Sequence, residues 1–293
     1  MKKCLACPRE CTVDREAGER GFCGVTNEYV IGSADLHMWE EPCISGKRGS
    51  GAIFFSGCNL RCIFCQNRDI SREVVGKKYN EDELIAAMLE LQERGAHNIN
   101  LVTATPYSLF LANTLKKVKK DLHIPIVYNC GGYESLDSLR ALEGLVDIYL
   151  PDFKYFDDER ARAYSSAPNY AKLASEALCE MYRQVGKLTL DEHGIAKRGL
   201  IVRHLCLPGC REDSKAVLKY ISEMLPASEI TLSLMRQYTP DFADADAPKN
   251  LHRRLTSFEY DDILEYALSL GFDGFSQEKG SANQSFTPKF NKG

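Results

Sequence analysis

Cys58, Cys62 and Cys65 fall within the eight residues CNLRCIFC. Gaps of three and then two residues let one loop wrap a cubane cluster from three sides. No fourth cysteine follows at short range, so one iron is left without a protein ligand. An open coordination position marks a metal centre as reactive rather than structural, the same logic that separates catalytic from structural zinc. A three-cysteine zinc loop and a redox dithiol are the alternatives open to the same residues. A second set, Cys4, Cys7, Cys11 and Cys23, is complete in itself. Four thiolates and no open position read as structural: tetrahedral zinc or a fully ligated second iron–sulfur cluster. The scattered Cys43, Cys130, Cys179, Cys206 and Cys210 read as small buried hydrophobes.

The chain that must position these thiols has 293 residues, a net charge of −4, and 44% hydrophobic and 10% aromatic content. That composition excludes disorder, and the slight acidic excess argues against nucleic acid as a partner. No apolar run approaches the ~20 residues needed to span a bilayer. The start, MKKCLACPREC, has lysines but no apolar stretch of the secretory type, which implies a cytoplasmic protein. In that reducing compartment twelve cysteines are better read as ligands than as disulfides.

Residues 1–45 are turn-rich and lack a core of their own, so they read as a Cys-rich extension organised by a metal. From 46 to 275 the pattern is six strand-then-helix units. The strands are expected at 51–57, 98–103, 124–129, 146–151, 200–207 and 230–235. The helices are expected at 81–94, 108–119, 134–142, 158–185, 213–225 and 256–270. Continuous apolar strands imply a parallel sheet covered by helices, either doubly wound or curled into a partial barrel. Both place the chemistry at the C-terminal ends of the strands. Residues 276–293 read as a C-terminal tail in which Phe286, Pro288 and Phe290 pack.

C-x3-C-x2-C with an aromatic, Phe64, before the third cysteine resembles the signature of the radical S-adenosylmethionine (SAM) superfamily. The resemblance implies a partial (β/α)6 barrel and a 4Fe–4S cluster whose open iron chelates SAM. Reductive cleavage then releases a 5′-deoxyadenosyl radical that takes hydrogen from the substrate, with the protein supplying orientation and water exclusion. The segments CLACPREC, HMWEEPCISGKRGSGAIFFSGCNLRCIFCQN, GAHNINLVT, LPDFKY and YSSAPNY look like the PflX branch, related to pyruvate formate-lyase activating enzymes.

That resemblance assigns roles at the strand ends. Asp152 and Lys154 match an Asp-x-Lys acid–base pair facing cofactor and substrate, and alternation puts both on one side. Thr103 and Thr105 stand in the turn that meets the SAM amino group, although its acidic residue is missing. Asn129 replaces an aspartate before Gly131 and Gly132, which removes a ligand of a monovalent-cation site. Arg203 is suited to clamp a carboxylate with a bidentate fork, and Gln237 stands where relatives offer a histidine to SAM. Phe64 completes the cofactor set. Metal-ligand or acid–base chemistry is open to His37, Glu40 and Glu41, with a satisfied structural role as the default for a lone histidine.

The implied activity is hydrogen abstraction from a protein or peptide, with electrons from a flavodoxin- or ferredoxin-type reductant. Radical chemistry on a small molecule and a non-catalytic iron–sulfur or zinc scaffold are the alternatives.

Overall fold

Short runs rich in Ile, Leu, Val and Tyr, each ending in a turn and followed by an amphipathic stretch, build the sheet and its helices. The computed structural model describes residues 4–277 and Phe290. Its strands are β1 (Tyr29–His37), β2 (Ser50–Phe55), β3 (Lys77–Tyr79), β4 (Ile99–Val102), β5 (Ile126–Cys130), β6 (Ile148–Pro151), β7 (Thr189–Leu190), β8 (Ala196–Leu205), β9 (Thr231–Met235) and β10 (Asp273–Ser276). Its helices are α1 (Pro42–Ser45), α2 (Arg68–Arg72), α3 (Glu81–Glu93), α4 (Ser108–Val118), α5 (Leu136–Ala141), α6 (Asp158–Ser165), α7 (Tyr170–Val185), α8 (Arg211–Met224) and α9 (Ser257–Ser269). Asn80 and Thr256 open α3 and α9 with complete capping boxes, so local sequence alone starts both helices.

The strand order is β10-β9-β8-β6-β5-β4-β2-β1-β3. From β2 to β10 every neighbouring pair on this path is parallel. Each parallel strand is added at the same edge, and the order never reverses as it does in a doubly wound sheet. The result is an open parallel sheet of the partial-barrel kind.

Alternation sorts the side chains between two faces. Tyr128, Tyr149, Leu200 and Val202 pack with the helices in the main core. On the opposite, inner face, Val127, Ile148, Leu150 and Ile201 pack against Cys43 and Ile44 of α1. The Asn98 amide donates to the Ile44 carbonyl at 2.7 Å, so α1 plugs the N-terminal end of the barrel.

Four expectations are corrected. Tyr29–His37 belongs to the sheet rather than to the extension, pairing antiparallel with β2 and β3. Residues 42–45 form the plug. The helix expected over 158–185 is two helices, broken where Ser166 and Asn169 take positive φ around Pro168; proline disfavours helical backbone in the residue before it. A seventh parallel strand, β10, pairs with β9. The tail lies outside the described residues apart from Ser276, Gln277 and Phe290, so Phe286 and Pro288 are not described. Phe290 meets the Phe54 ring edge-on at 5.6 Å. Among the described residues no helix is long and apolar enough to cross a membrane.

Candidate metal and cofactor site at the barrel mouth

The loop carrying Cys58, Cys62 and Cys65 leaves the C-terminal end of β2 and is pinned from several sides. Ile63 donates its N–H to the Tyr164 carbonyl at 2.9 Å, and its own carbonyl accepts from Asp244 N–H at 2.8 Å. Arg72 of α2 holds the Cys62 carbonyl and pairs with Asp244 at 2.8 Å. Leu60 N–H reaches Cys58 Sγ at 3.4 Å, Ser165 Oγ reaches Cys62 Sγ at 2.9 Å, and Ser71 Oγ reaches Cys65 Sγ at 3.5 Å. All three thiols are free.

Burial pushes the Cys58 thiol up to about 12, with Cys62 and Cys65 adding to the effect. Cys62 is raised by burial in the same way, while Lys154 pulls it back. The bare protein therefore keeps Cys58 and Cys62 protonated, and a cationic metal centre is what would ionise them. Among the described residues no three His, Cys, Asp or Glu side chains converge on a single-ion site. A cubane needs no such convergence, because each of its irons takes one thiolate. Three free thiols on one pinned loop near a lysine fit that group.

Asp152, Lys154, Arg203 and Asn129 meet on the inner face beside this loop. Lys154 Nζ pairs with Asp152 Oδ2 at 2.5 Å. Arg203 pairs with Asp152 Oδ1 at 3.1 Å and with Glu40 Oε2 at 3.1 Å, and it also donates to Asn129 Oδ1. Burial raises the Asp152 carboxyl, but Lys154 and Arg203 outweigh it and hold the group below its ordinary value. Burial lowers Lys154, and the charge of Asp152 and its hydrogen bond more than offset this, so it stays protonated. A fixed acid–base pair beside Cys62 can hold a polar group of a bound molecule or move a proton at Lys154 Nζ or Asp152 Oδ2.

Four other expected residues lie apart from this network. Thr103 sits at φ 61 and donates its N–H to the Asn129 carbonyl at 2.8 Å. A β-branched residue with that backbone is a real outlier. The Thr105 hydroxyl donates to Glu134 at 2.7 Å, which takes it out of the mouth. Phe64 is buried edge-on between Tyr164 and Tyr238, at 6.5 and 5.9 Å. Gln237 accepts from Gln277 at 3.0 Å, beyond the end of β9.

Sequence reasoning missed how deeply Glu40, Glu41 and Asn100 enter the barrel. The signal was the pair of acids before the proline that opens α1, since two charges leading into an apolar plug must go somewhere.

The N-terminal thiols dock beside the cysteine loop. Arg9 donates to the Asn59 carbonyl at 2.8 Å and lies 3.8 Å over the Phe22 ring. Arg9 also reaches the carbonyl of Ser165 at 3.5 Å, the residue whose hydroxyl meets Cys62, so the guanidinium links the extension to the cysteine loop. Burial pushes Cys7 up to about 12, with Glu134, Cys23 and Cys11 adding to it. Phe22 N–H donates to Cys11 Sγ at 3.3 Å.

Residues 52–245 match the family model of the radical SAM superfamily. The chain belongs to that superfamily. It is an enzyme family whose members use a 4Fe–4S cluster and SAM, and Cys58, Cys62 and Cys65 are the residues here that would hold the cluster. An uncharacterised protein of Methanocaldococcus jannaschii is 32% identical over 286 residues, 93% of this chain and 76% of that one. The pyruvate formate-lyase-activating enzyme of Clostridium pasteurianum is 30% identical over 116 residues, 36% of this chain and 46% of that enzyme. The crystal structure of Streptococcus suis SuiB bound to precursor peptide SuiA is 10% identical with a TM-score of 0.52. That likeness shows the shared fold; it covers 76% of this chain, which spans 47% of SuiB.

Proposed function

We propose that this radical SAM enzyme abstracts hydrogen in the manner of a glycyl-radical activating enzyme, from a protein or peptide. The observation that carries the reading is the Lys154–Asp152–Arg203 set at the strand ends, near enough to Cys62 for the Lys154 charge to favour its thiolate. The match to the Clostridium pasteurianum enzyme, whose name gives it a protein to activate, supports it, as do the PflX-like segments. When bound, the cluster and SAM supply the electron and the hydrogen-abstracting power. Arg203 and Lys154 hold carboxylate and carbonyl oxygens, Asp152 fixes both cations, and the packed inner face excludes water. Cys4, Cys7, Cys11 and Cys23 would hold a second metal, zinc or iron–sulfur, that orders the extension; because no three of them converge on a single-ion site as they stand, zinc would have to draw them together. A flavodoxin- or ferredoxin-type protein in the cytoplasm supplies the electrons.

A glycyl-radical-loop peptide deuterated at its glycine α-carbons tests the substrate class. With reductant and SAM, deuterium should appear in 5′-deoxyadenosine. Unlabelled 5′-deoxyadenosine at the rate seen without peptide contradicts the peptide reading.

One feature favours a small molecule instead. Lys154, Asp152, Arg203 and Glu40 are each only 9–15% exposed, which suits a narrow chamber better than a broad groove.

A further inference from the structure

Glu40 and Glu41 are buried carboxylates on the loop that enters the α1 plug, and the chemistry at the mouth leaves Glu41 without a task. Glu41 is the N-cap residue of α1, yet its side chain makes no cap. It runs instead into the barrel beside the Ser233 hydroxyl of β9. Glu40 turns towards the opposite wall, accepting from Asn100 Nδ2 at 3.0 Å and Asn129 Nδ2 at 3.3 Å besides its pair with Arg203. Burying two consecutive acids is costly unless something positive compensates them.

The compensation present is thin. Arg203 pairs with Asp152 and Glu40 and acts on Glu41, while Lys154 pairs with Asp152. Burial still raises both Glu40 and Glu41, as it does for carboxylates short of positive partners. Two acceptors are also left over. Glu41 Oε2 and Asn100 Oδ1 are buried with no donor, although Asn100 is fully buried and Glu41 is only 8% exposed. Because the Asn100 nitrogen already serves Glu40, its oxygen is a bare acceptor one hydrogen bond away from the adjacent acids. One positive charge bearing several N–H groups would return the acids to their charged form and offer donors to the orphan oxygens.

We propose that Glu40, Glu41 and Asn100 form a subsite for one cationic N–H donor, an ammonium or guanidinium group, on the molecule that enters from the mouth. The proposal rests on the radical SAM reading and narrows its substrate to an amine, a basic amino acid or a basic side chain of a peptide.

The test titrates n-butylammonium and ethylguanidinium into the anaerobically reconstituted protein, with n-butanol as the neutral match, and follows the thermal midpoint. 5′-Deoxyadenosine formation is measured on the same preparation. Either cation should raise the midpoint saturably and the alcohol should not. Glu41→Gln should weaken cation binding on the order of tenfold, the value of one charge-assisted hydrogen bond. An acetylated and amidated Gly-Lys-Gly peptide separates the two sources: protection by it identifies a peptide side chain, and protection by the free amine alone identifies a small molecule. Equal effects of n-butanol and n-butylammonium overturn the subsite, as does unchanged affinity in Glu41→Gln. If that variant does not fold, the cation–alcohol comparison in the wild type decides. SAM cleavage without cation binding removes the subsite and leaves the radical reading; cation binding without cleavage does the reverse.

Discussion

The two thiol-bearing regions are held in opposite ways. The Cys58–Cys65 loop is tied to α2, to the end of α6 and to Asp244, all parts of the main fold. The Cys4–Cys23 segment is held from outside by side chains laid on the barrel: Arg9 on the Asn59 carbonyl, Arg15 on the Pro106 carbonyl and over the Tyr107 and Phe110 rings, and Ser138 Oγ on the Ala6 carbonyl at 2.8 Å, with Cys23 alone of its thiols in the main core. A centre with an open iron needs its orientation fixed by the fold before the metal arrives, because the reacting atoms must meet a substrate in one geometry. A fully ligated site needs no such frame and can lend order to its own segment. The difference predicts that damage to the barrel abolishes chemistry, whereas damage at the seam loosens the extension.

The largest effect is expected at the mouth. Lys154→Met leaves Asp152 buried with one cation fewer, which should cost about 3 kcal/mol or more. The urea midpoint should fall, and SAM cleavage should fall with it. An unchanged midpoint would mean that the pair is solvated and the mouth less rigid than described.

Glu134 lies between the two regions, accepting from Thr105 and from Tyr128 at 3.2 Å and acting on Cys7. Burial raises its carboxyl from 4.5 to about 7, against the hydrogen bonds from Thr105 and Tyr128. A raised carboxyl favours the protonated folded state. Its stabilising effect is therefore complete below about pH 4.5 and is lost as pH rises through about 7. Relative to Glu134→Gln, the wild type should lose about 3 kcal/mol between pH 4.5 and 8. Parallel stability curves for the two proteins would contradict this.

Gly57→Ala tests the seam itself. Gly57 has φ +84, and a Cβ there would meet Val25 Cγ1 at 2.5 Å and the Cys23 carbonyl at 2.8 Å. The expected cost is about 2 kcal/mol, and limited proteolysis should release the extension before the barrel unfolds. Simultaneous loss of both would show one cooperative unit.

Arg9→Ala gives the smallest effect, about 1 kcal/mol, mainly from the hydrogen bond to Asn59 and the contact over the Phe22 ring. Protease sensitivity before residue 28 should rise while the barrel midpoint holds. A matching fall in the barrel midpoint would place Arg9 in the main core.

What was legible in the sequence follows from where the physics is local. β2, β4, β5, β6, β8 and β9 announce themselves as apolar runs because both faces of a covered parallel strand are buried. Asp152 and Lys154 could be placed on one side from alternation alone. β10, with the sequence DGFS, has no apolar pattern and is recognised only by its pairing with β9. β1 is interrupted by Gly32, Ser33 and Asp35 and takes its place from β2. The commitment of Thr105 to Glu134, and of Arg203 to Glu40 across 163 positions, depends on tertiary distances that no spacing reveals.

Anaerobic reconstitution of the wild type and of a Cys58→Ala, Cys62→Ala, Cys65→Ala variant tests the account most directly, with iron, sulfide and zinc counted and 5′-deoxyadenosine measured under reductant and SAM. The variant should lose one four-iron complement and all SAM cleavage while keeping the metal of Cys4, Cys7, Cys11 and Cys23. Cleavage that survives in the variant would contradict it.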